Sequence, residues 1–474
     1  MKKRIGAILA AAAMACSMTA GVALASGCGG GELPAFEMPN GGFDTSKEVN
    51  ITFYHTMGQD LRKVLTTYIE SFNELYPNIK VAEEQVGGYE DVRDQIVTEI
   101  SSGSGDHPHI AYCYPDHVAL FNQSEAVVPL NVFLDDSEYN NMEVKRADGT
   151  TEKLCLTTEQ KNAFIDGYYK EGFQFGDGTQ MYTLPFSKST EVLYYNKTFF
   201  DNNNLEVPKT WDDMKKVCAE IKKINPDSIP FGYDSEANWF ITMCEQYGSP
   251  YTSSEEGKHF LFNNAQNQAF VKDFKEWYDA GYFTTQTINK QYTSNLFKNQ
   301  TSYMCIGSSA GAKNQSPGRV DGEYPFEIGI AQIPQVHPEN PKVISQGPSV
   351  CIFNHKDPQE VLASWLLVKY LTTSIGFQAQ FSAVSGYVPV IKTVTQNETY
   401  AKNLANADGF GNVTYLAAKV CMEQEKAYYT SDAFVGSARA RDQVGYLMQA
   451  VFTDSKTIEQ AFKDAIEECE FFSN

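Results

Sequence analysis

The segment Gly307-Ser308-Ser309-Ala310-Gly311 has the GxSxG spacing that, after a strand, can aim a serine hydroxyl at an acyl substrate. A nucleophile there needs a long helix directly behind it, with an acid and then a histidine further along the chain. The following residues 314–318 (NQSPG) break such a helix, and only His337 and His355 lie downstream, both in Pro-containing loops. The same backbone N–H groups and hydroxyls can instead cradle a phosphate or a sugar hydroxyl, which makes Ser309 a candidate binding residue. A secreted hydrolase acting through Ser309 stands as the alternative function. The chain has no HExxH, Walker loop, EF-hand or GxGxxG. Adjacent acids such as Glu83-Glu84 and Asp135-Asp136 read as solvated faces rather than as an acid/base couple. No catalytic residue, metal or cofactor is therefore expected.

The elements that would carry a site begin beyond an export signal. Met1-Lys2-Lys3-Arg4 is a basic start, residues 5–24 are weakly apolar, and Leu24-Ala25-Ser26-Gly27-Cys28 supplies small residues before a cysteine. This pentapeptide resembles a bacterial lipobox, although Leu24 stands four residues before the cysteine where three is usual. The resemblance implies cleavage after residue 27 and lipid attachment at Cys28. Residues 28–48, rich in Gly and Pro at their start, read as a flexible tether.

The chain carries a formal net charge of −21, and more once its three basic N-terminal residues are removed. An acidic surface excludes nucleic acid and anionic membrane as natural partners. Eight cysteines beyond Cys28 are scattered without a CxxC, so neither a zinc site nor a dense disulfide framework is indicated.

Residues 49–54 read as a buried strand. A helix from Asp60 follows, with Leu61, Val64, Leu65, Tyr68, Ile69, Phe72 and Leu75 on one face, and then a strand over 79–81. That is a βαβ unit, which implies a parallel sheet with ligands at the strand carboxyl ends. Further strands are expected over 109–114, 192–195 and 301–306. Helices are expected after Thr210, with Asp213 in its capping box, around 270–278, from Pro358, and over 457–472. Residues 184–197 (LPFSKSTEVLYYNK) form a strand interrupted by Pro185 and four small polar or basic residues, which suits a segment passing between two lobes. The expected fold is α/β, two-lobed and hinge-linked, with a cleft between the lobes. Residues 49–186 and 306–350 are assigned to the first lobe, and 187–305 and 351–474 to the second. Crossings are expected near Ser187, Gly307 and Cys351.

The segments VNITFYHTMG, LPFSKSTEVLYYNK, VPKTWDDM, YMCIGSSAG and SGYVPV, in this order, resemble those of the carbohydrate-type solute-binding proteins of ABC importers. Within that family YHTMG, SGYVP and FVGSARAR are most similar to binders of glycerol phosphate or its diesters. The resemblance implies a monomeric extracytoplasmic protein anchored through Cys28. It would capture a small sugar or glycerol phosphate and deliver it to membrane permease subunits, with no enzymatic step. It also implies ligand contacts from Tyr89, Asp116, Ser187, Ser189, Trp239, Ser309, Gly347 and Tyr387. Pro115 occupies the slot where glycerol phosphate binders carry a carboxylate, with Asp116 beside it. Trp239 resembles a second-lobe ring platform, and Arg439 resembles an arginine that clamps phosphate through its planar fork, with Arg441 as the other choice.

Overall fold

The computed structural model describes residues 35–473, with the side chains of the last two left out. The expectations on residues 1–27 and Cys28 lie outside the described residues. Among the described residues no helix is long and apolar enough to cross a membrane.

The opening βαβ unit forms where the sequence places it. Val49–His55 buries Val49, Ile51 and Phe53, and pairs in parallel with Ile79–Gln85. The connecting helix Gln59–Leu75 packs Val64, Leu65, Ile69 and Phe72 inward, and Pro77 follows its end. Ile110–Cys113 joins the other side of the first strand in parallel. Ser349–Ile352 and Leu184–Pro185 complete this sheet in antiparallel pairing.

A second, seven-stranded sheet is built around Ser189–Asn196. Its neighbours are Met304–Ser308, Ile328–Ala331 and Val343–Gln346, all antiparallel to it. Phe231–Tyr233, Phe283–Thr285 and Tyr428–Tyr429 extend it. The Trp211–Ile224 helix that packs on this lobe has Thr210 and Asp213 in a reciprocal capping box. Pro358–Thr373 is capped by Asp357 with proline at its first turn. Both caps were readable locally.

The chain passes from the first sheet to the second at residues 186–188, returns at 347–348, between Gln346 and Ser349, and crosses to the second sheet again before Tyr428–Tyr429. The first two crossings lie against each other. Gly347 has φ +93°, and a Cβ there would stand 2.6 Å from Ser187 O and 2.7 Å from Lys188 Cα. Only glycine permits that approach. Lys188, fully buried between the crossings, donates to Gly347 O and Ser349 Oγ at 3.0 Å each and pairs with the Glu171 carboxylate.

Sheet membership corrects the expected lobe boundaries. The strands within 306–350 belong to the second sheet rather than to the first lobe. Ser349–Ile352 belongs to the first sheet, and the Pro358–Thr373 helix buries Val361, Leu362 and Trp365 in the core that holds Ile51 and Phe53. Trp365 stacks on Phe133 at 4.6 Å. Of the expected crossing points, Ser187 sits at one, whereas Gly307 lies inside the second sheet opposite Val192 and Cys351 inside the first opposite Ala111. The expected tether is also too long. Phe36 lies 5.8 Å from the Phe133 ring, Phe43 is buried edge-on to Tyr76, and Lys47 pairs with Asp357 at 2.5 Å. Two aromatic side chains in a Gly- and Pro-rich run were the signal of that packing.

Candidate functional site

Four tyrosines gather on the first lobe at the carboxyl end of its sheet. Tyr89 opens the helix Tyr89–Ser102, whose start is held by Asp91 accepting from Gly88 N at 2.7 Å. Tyr112 is the last residue but one of the strand Ile110–Cys113, and Tyr114 immediately precedes the Pro115–Phe121 helix. The Tyr89 ring stands 4.4 Å from Tyr114 and 6.0 Å from Tyr112, nearly parallel to the latter. Tyr387 follows Gly386, and its hydroxyl meets that of Tyr89 at 3.2 Å. Tyr112 shares a hydrogen bond with Ser187 Oγ at 2.8 Å. Burial pushes all four phenol pKa values up, so these groups stay neutral and can both donate and accept.

The second lobe presents Arg441, on the helix Ser437–Phe452, toward this cluster. Its Nη1 donates to Asn238 Oδ1 at 2.6 Å, and its Nε stands 3.9 Å from Asp116 Oδ2 of the first lobe. Asn238 in turn donates to Glu191 Oε1 at 3.2 Å, and the Tyr233 hydroxyl donates to the other Glu191 oxygen. Burial pushes the Glu191 carboxyl up to about 7. Asp234, at the end of Phe231–Tyr233, accepts from Thr293 N and Oγ1 at 2.8 and 2.7 Å, which anchors the neighbouring, 61% exposed Tyr292.

The structure brings Tyr89, Asp116, Ser187 and Tyr387 into or beside this site. Other expected residues stand elsewhere. Trp239 is fully buried, stacked 4.7 Å from Tyr233 and tilted against Phe274 at 4.2 Å, so it is core rather than a ring platform. Arg439 donates to Glu468 at 2.8 Å on the C-terminal helix. Residues two apart on a helix point about 200° apart, so Arg439 and Arg441 cannot both face the boundary. Ser189 is buried within its strand, and Gly347 makes the backbone crossing described above. Ser309 is fully buried with its hydroxyl accepting from Thr190 N at 3.3 Å, and only a short turn and the helix Ala312–Gln315 follow it. That geometry does not present a nucleophile.

Sequence reasoning missed Tyr112, Tyr114, Glu191, Asn238, Asp234 and Tyr292. The first two were legible, because residues i and i+2 of a strand share a face and Tyr112-Cys113-Tyr114 ends at Pro115. The others are joined only by tertiary packing.

One group among the described residues, His109, His355 and Glu360, brings possible metal ligands within 4.8 Å. It does not fit a metal. His109 Nδ1 accepts from Thr52 N at 3.0 Å, which puts the ring proton on Nε2, the nitrogen 3.8 Å from Glu360, so neither nitrogen of His109 has a free lone pair to offer.

Residues 67–408 match the model of the bacterial extracellular solute-binding protein family. The sn-glycerol-3-phosphate-binding periplasmic protein UgpB of Escherichia coli O1:K1 is 23% identical over 437 residues, covering 88% of this chain and 91% of that protein. The fold is shared with UgpB from Mycobacterium tuberculosis in complex with glycerophosphocholine, at TM-score 0.71 and 14% identity over 90% of this chain and 98% of the other. It is shared equally with maltose-bound MalE3 of T. maritima, at TM-score 0.69 and 16% identity over 89% and 99%.

Proposed function

This chain belongs to the bacterial extracellular solute-binding proteins, and from that membership and the interlobe geometry we propose that it captures a polyhydroxylated solute for an ABC importer. The observation that carries this reading is the tyrosine cluster and Asp116 of one lobe facing Arg441 and Asn238 of the other at the lobe boundary. Neutral phenols supply stacking faces and hydroxyls, and an amide with a charged pair supplies donors and acceptors at fixed spacing, which is what vicinal hydroxyls need. The guanidinium is already balanced by Asp116, which suits a carbohydrate or a glycerol phosphodiester better than a dianionic phosphate.

A ligand touching both sides favours the approach of the lobes about the crossings, those at Ser187 and Gly347 among them. The liganded form docks on membrane permease subunits and releases its cargo there. The mature protein acts as a monomer held at the membrane through lipidated Cys28. Tyr89, Asp116, Tyr387 and Arg441 touch the ligand. Ser187 acts through Tyr112, while Ser189, Ser309 and Gly347 shape the floor.

Thermal unfolding of the mature chain against maltose, longer glucosides, sn-glycerol 3-phosphate and glycerophosphocholine tests this. A ligand at 100 times its dissociation constant stabilises by about 2.7 kcal/mol. A shift with one class that is lost in Arg441→Ala supports the reading. Hydrolysis of any of these compounds, abolished by Ser309→Ala, would overturn it.

A further inference from the structure

Arginine can only donate hydrogen bonds, so the contact from Arg441 Nη1 to Asn238 fixes which end of that amide carries the oxygen. The carbonyl faces Arg441, and the NH2 group must face Glu191, where Nδ2 stands 3.2 Å from Oε1. Glu191 therefore has to accept at that oxygen. Its other oxygen accepts from the hydroxyl of the fully buried Tyr233; a proton placed there would reverse that bond and take from the phenol hydrogen the acceptor it now has. Were Oε1 protonated, the amide would have to turn over to accept from it, and its NH2 would then oppose the guanidinium. An amide has one donor end and one acceptor end, so it transmits the state of one neighbour to the other.

We infer that Glu191 is a positioning residue for the binding site: as a carboxylate it holds Asn238 in the orientation that seats Arg441 toward Asp116, and its protonation at Oε1 releases the guanidinium. The inference rests on Arg441 belonging to the binding site, as proposed above. Glu191 is 1% exposed within the Ser189–Asn196 strand, which suits a residue that acts through another.

The surroundings place the change in a useful range. Burial, with Asp234 adding to it, raises the Glu191 carboxyl to about 7, against the lowering effect of Tyr233, Asn238 and Arg441. On the remaining side Gln424 Nε2 donates to the Glu191 carbonyl at 3.3 Å. Tyr429 and Cys305 also feel the Glu191 charge, and burial pushes both up so that they stay neutral. Asp234, itself raised by burial, is the competing titration.

The test follows the Arg441 Nε–Hε resonance of the ligand-free protein, assigned by its loss in Arg441→Lys, from about pH 8.5 to about pH 5.5. The wild-type signal is expected to shift with a midpoint near 7. The shift should vanish in Glu191→Gln and persist in Asp234→Asn. Asn238→Ala, which leaves the carboxylate in place, should abolish it as well and serves if Glu191→Gln fails to fold. A flat wild-type signal, or a titration that survives loss of Glu191 or Asn238, overturns the inference. In parallel, affinity for maltose and for glycerophosphocholine is measured across the same range. Weakening toward acid, approaching about tenfold per pH unit, in wild type but not in Glu191→Gln supports it. If Arg441 titrates as expected and neither compound binds, the relay stands as a property of the fold and the ligand reading fails. If a compound binds and Arg441 does not titrate, only the relay fails.

Discussion

Arg441 and Asp116 meet across the lobe boundary with Nε 3.9 Å from Oδ2, while Arg439, two residues earlier on the same helix, is turned to Glu468. The two arginines therefore have separable roles. Arg441→Ala should weaken binding of the best solute in the panel by about 1.5–3 kcal/mol, the range for hydrogen bonds from a charged group. Arg439→Ala breaks a part-exposed surface pair worth under about 1 kcal/mol and should leave affinity unchanged. Calorimetric titration of both variants checks this, and equal losses would contradict the geometry.

Trp239 is fully buried among Tyr233, Phe274 and Phe283. Trp239→Ala should cost about 3–5 kcal/mol in a urea unfolding experiment, as large-to-small core replacements do. A surface platform would show the opposite pattern, with affinity lost and stability nearly intact.

Gly347 joins positive φ to backbone contact, with φ +93° and Ser187 O 2.6 Å from where a Cβ would lie. Gly347→Ala should destabilise by about 1–3 kcal/mol or more. Gly411, which has nothing within 4 Å of its Cβ position, is the control; its alanine variant should stay within about 0.5 kcal/mol.

Lys188 is fully buried against Glu171 at the crossing. Lys188→Met alone strands a buried carboxylate and should cost about 3–5 kcal/mol. The double variant Lys188→Met, Glu171→Gln should recover a large part of that loss. A double variant no more stable than the single would show that the pair is not the source of the cost.

His355 stacks between His107 and His109, at 4.4 and 3.9 Å. Burial and mutual repulsion push His109 down to about 3 and His355 down to about 4. The unfolded histidines have ordinary pKa values near 6.5, so the unfolded chain binds protons that the native stack refuses. The stack's contribution is fully present above about pH 6.5 and is lost as pH falls toward the folded values. His355→Gln should therefore flatten the decline of melting temperature between pH 7 and pH 5. Glu191 has the opposite slope, since its raised pKa favours the native state in acid, and Glu191→Gln should steepen the same decline.

Much of the architecture was legible in local sequence. The 3.6-residue spacing of Val64, Leu65, Ile69 and Phe72 and the caps at Thr210 and Asp357 depend on neighbours a few residues away, and they specified their helices directly. The interrupted strand at residues 184–197 signalled the passage between lobes, and the family resemblance pointed to Tyr89 and Tyr387. Partner strands were different. That 304–308, 328–331 and 343–346 pair in the second sheet while 349–352 returns to the first depends on long-range register, which no local pattern encodes. The site divided the same way. The family resemblance pointed to an arginine, an indole and two tyrosines as ligand contacts. Which of Arg439 and Arg441 meets Asp116, and whether Trp239 faces ligand or core, depends on the rotation of two helices about their own axes. Packing against Phe274, Phe452 and Glu468 sets that rotation, and only the assembled lobes supply those neighbours.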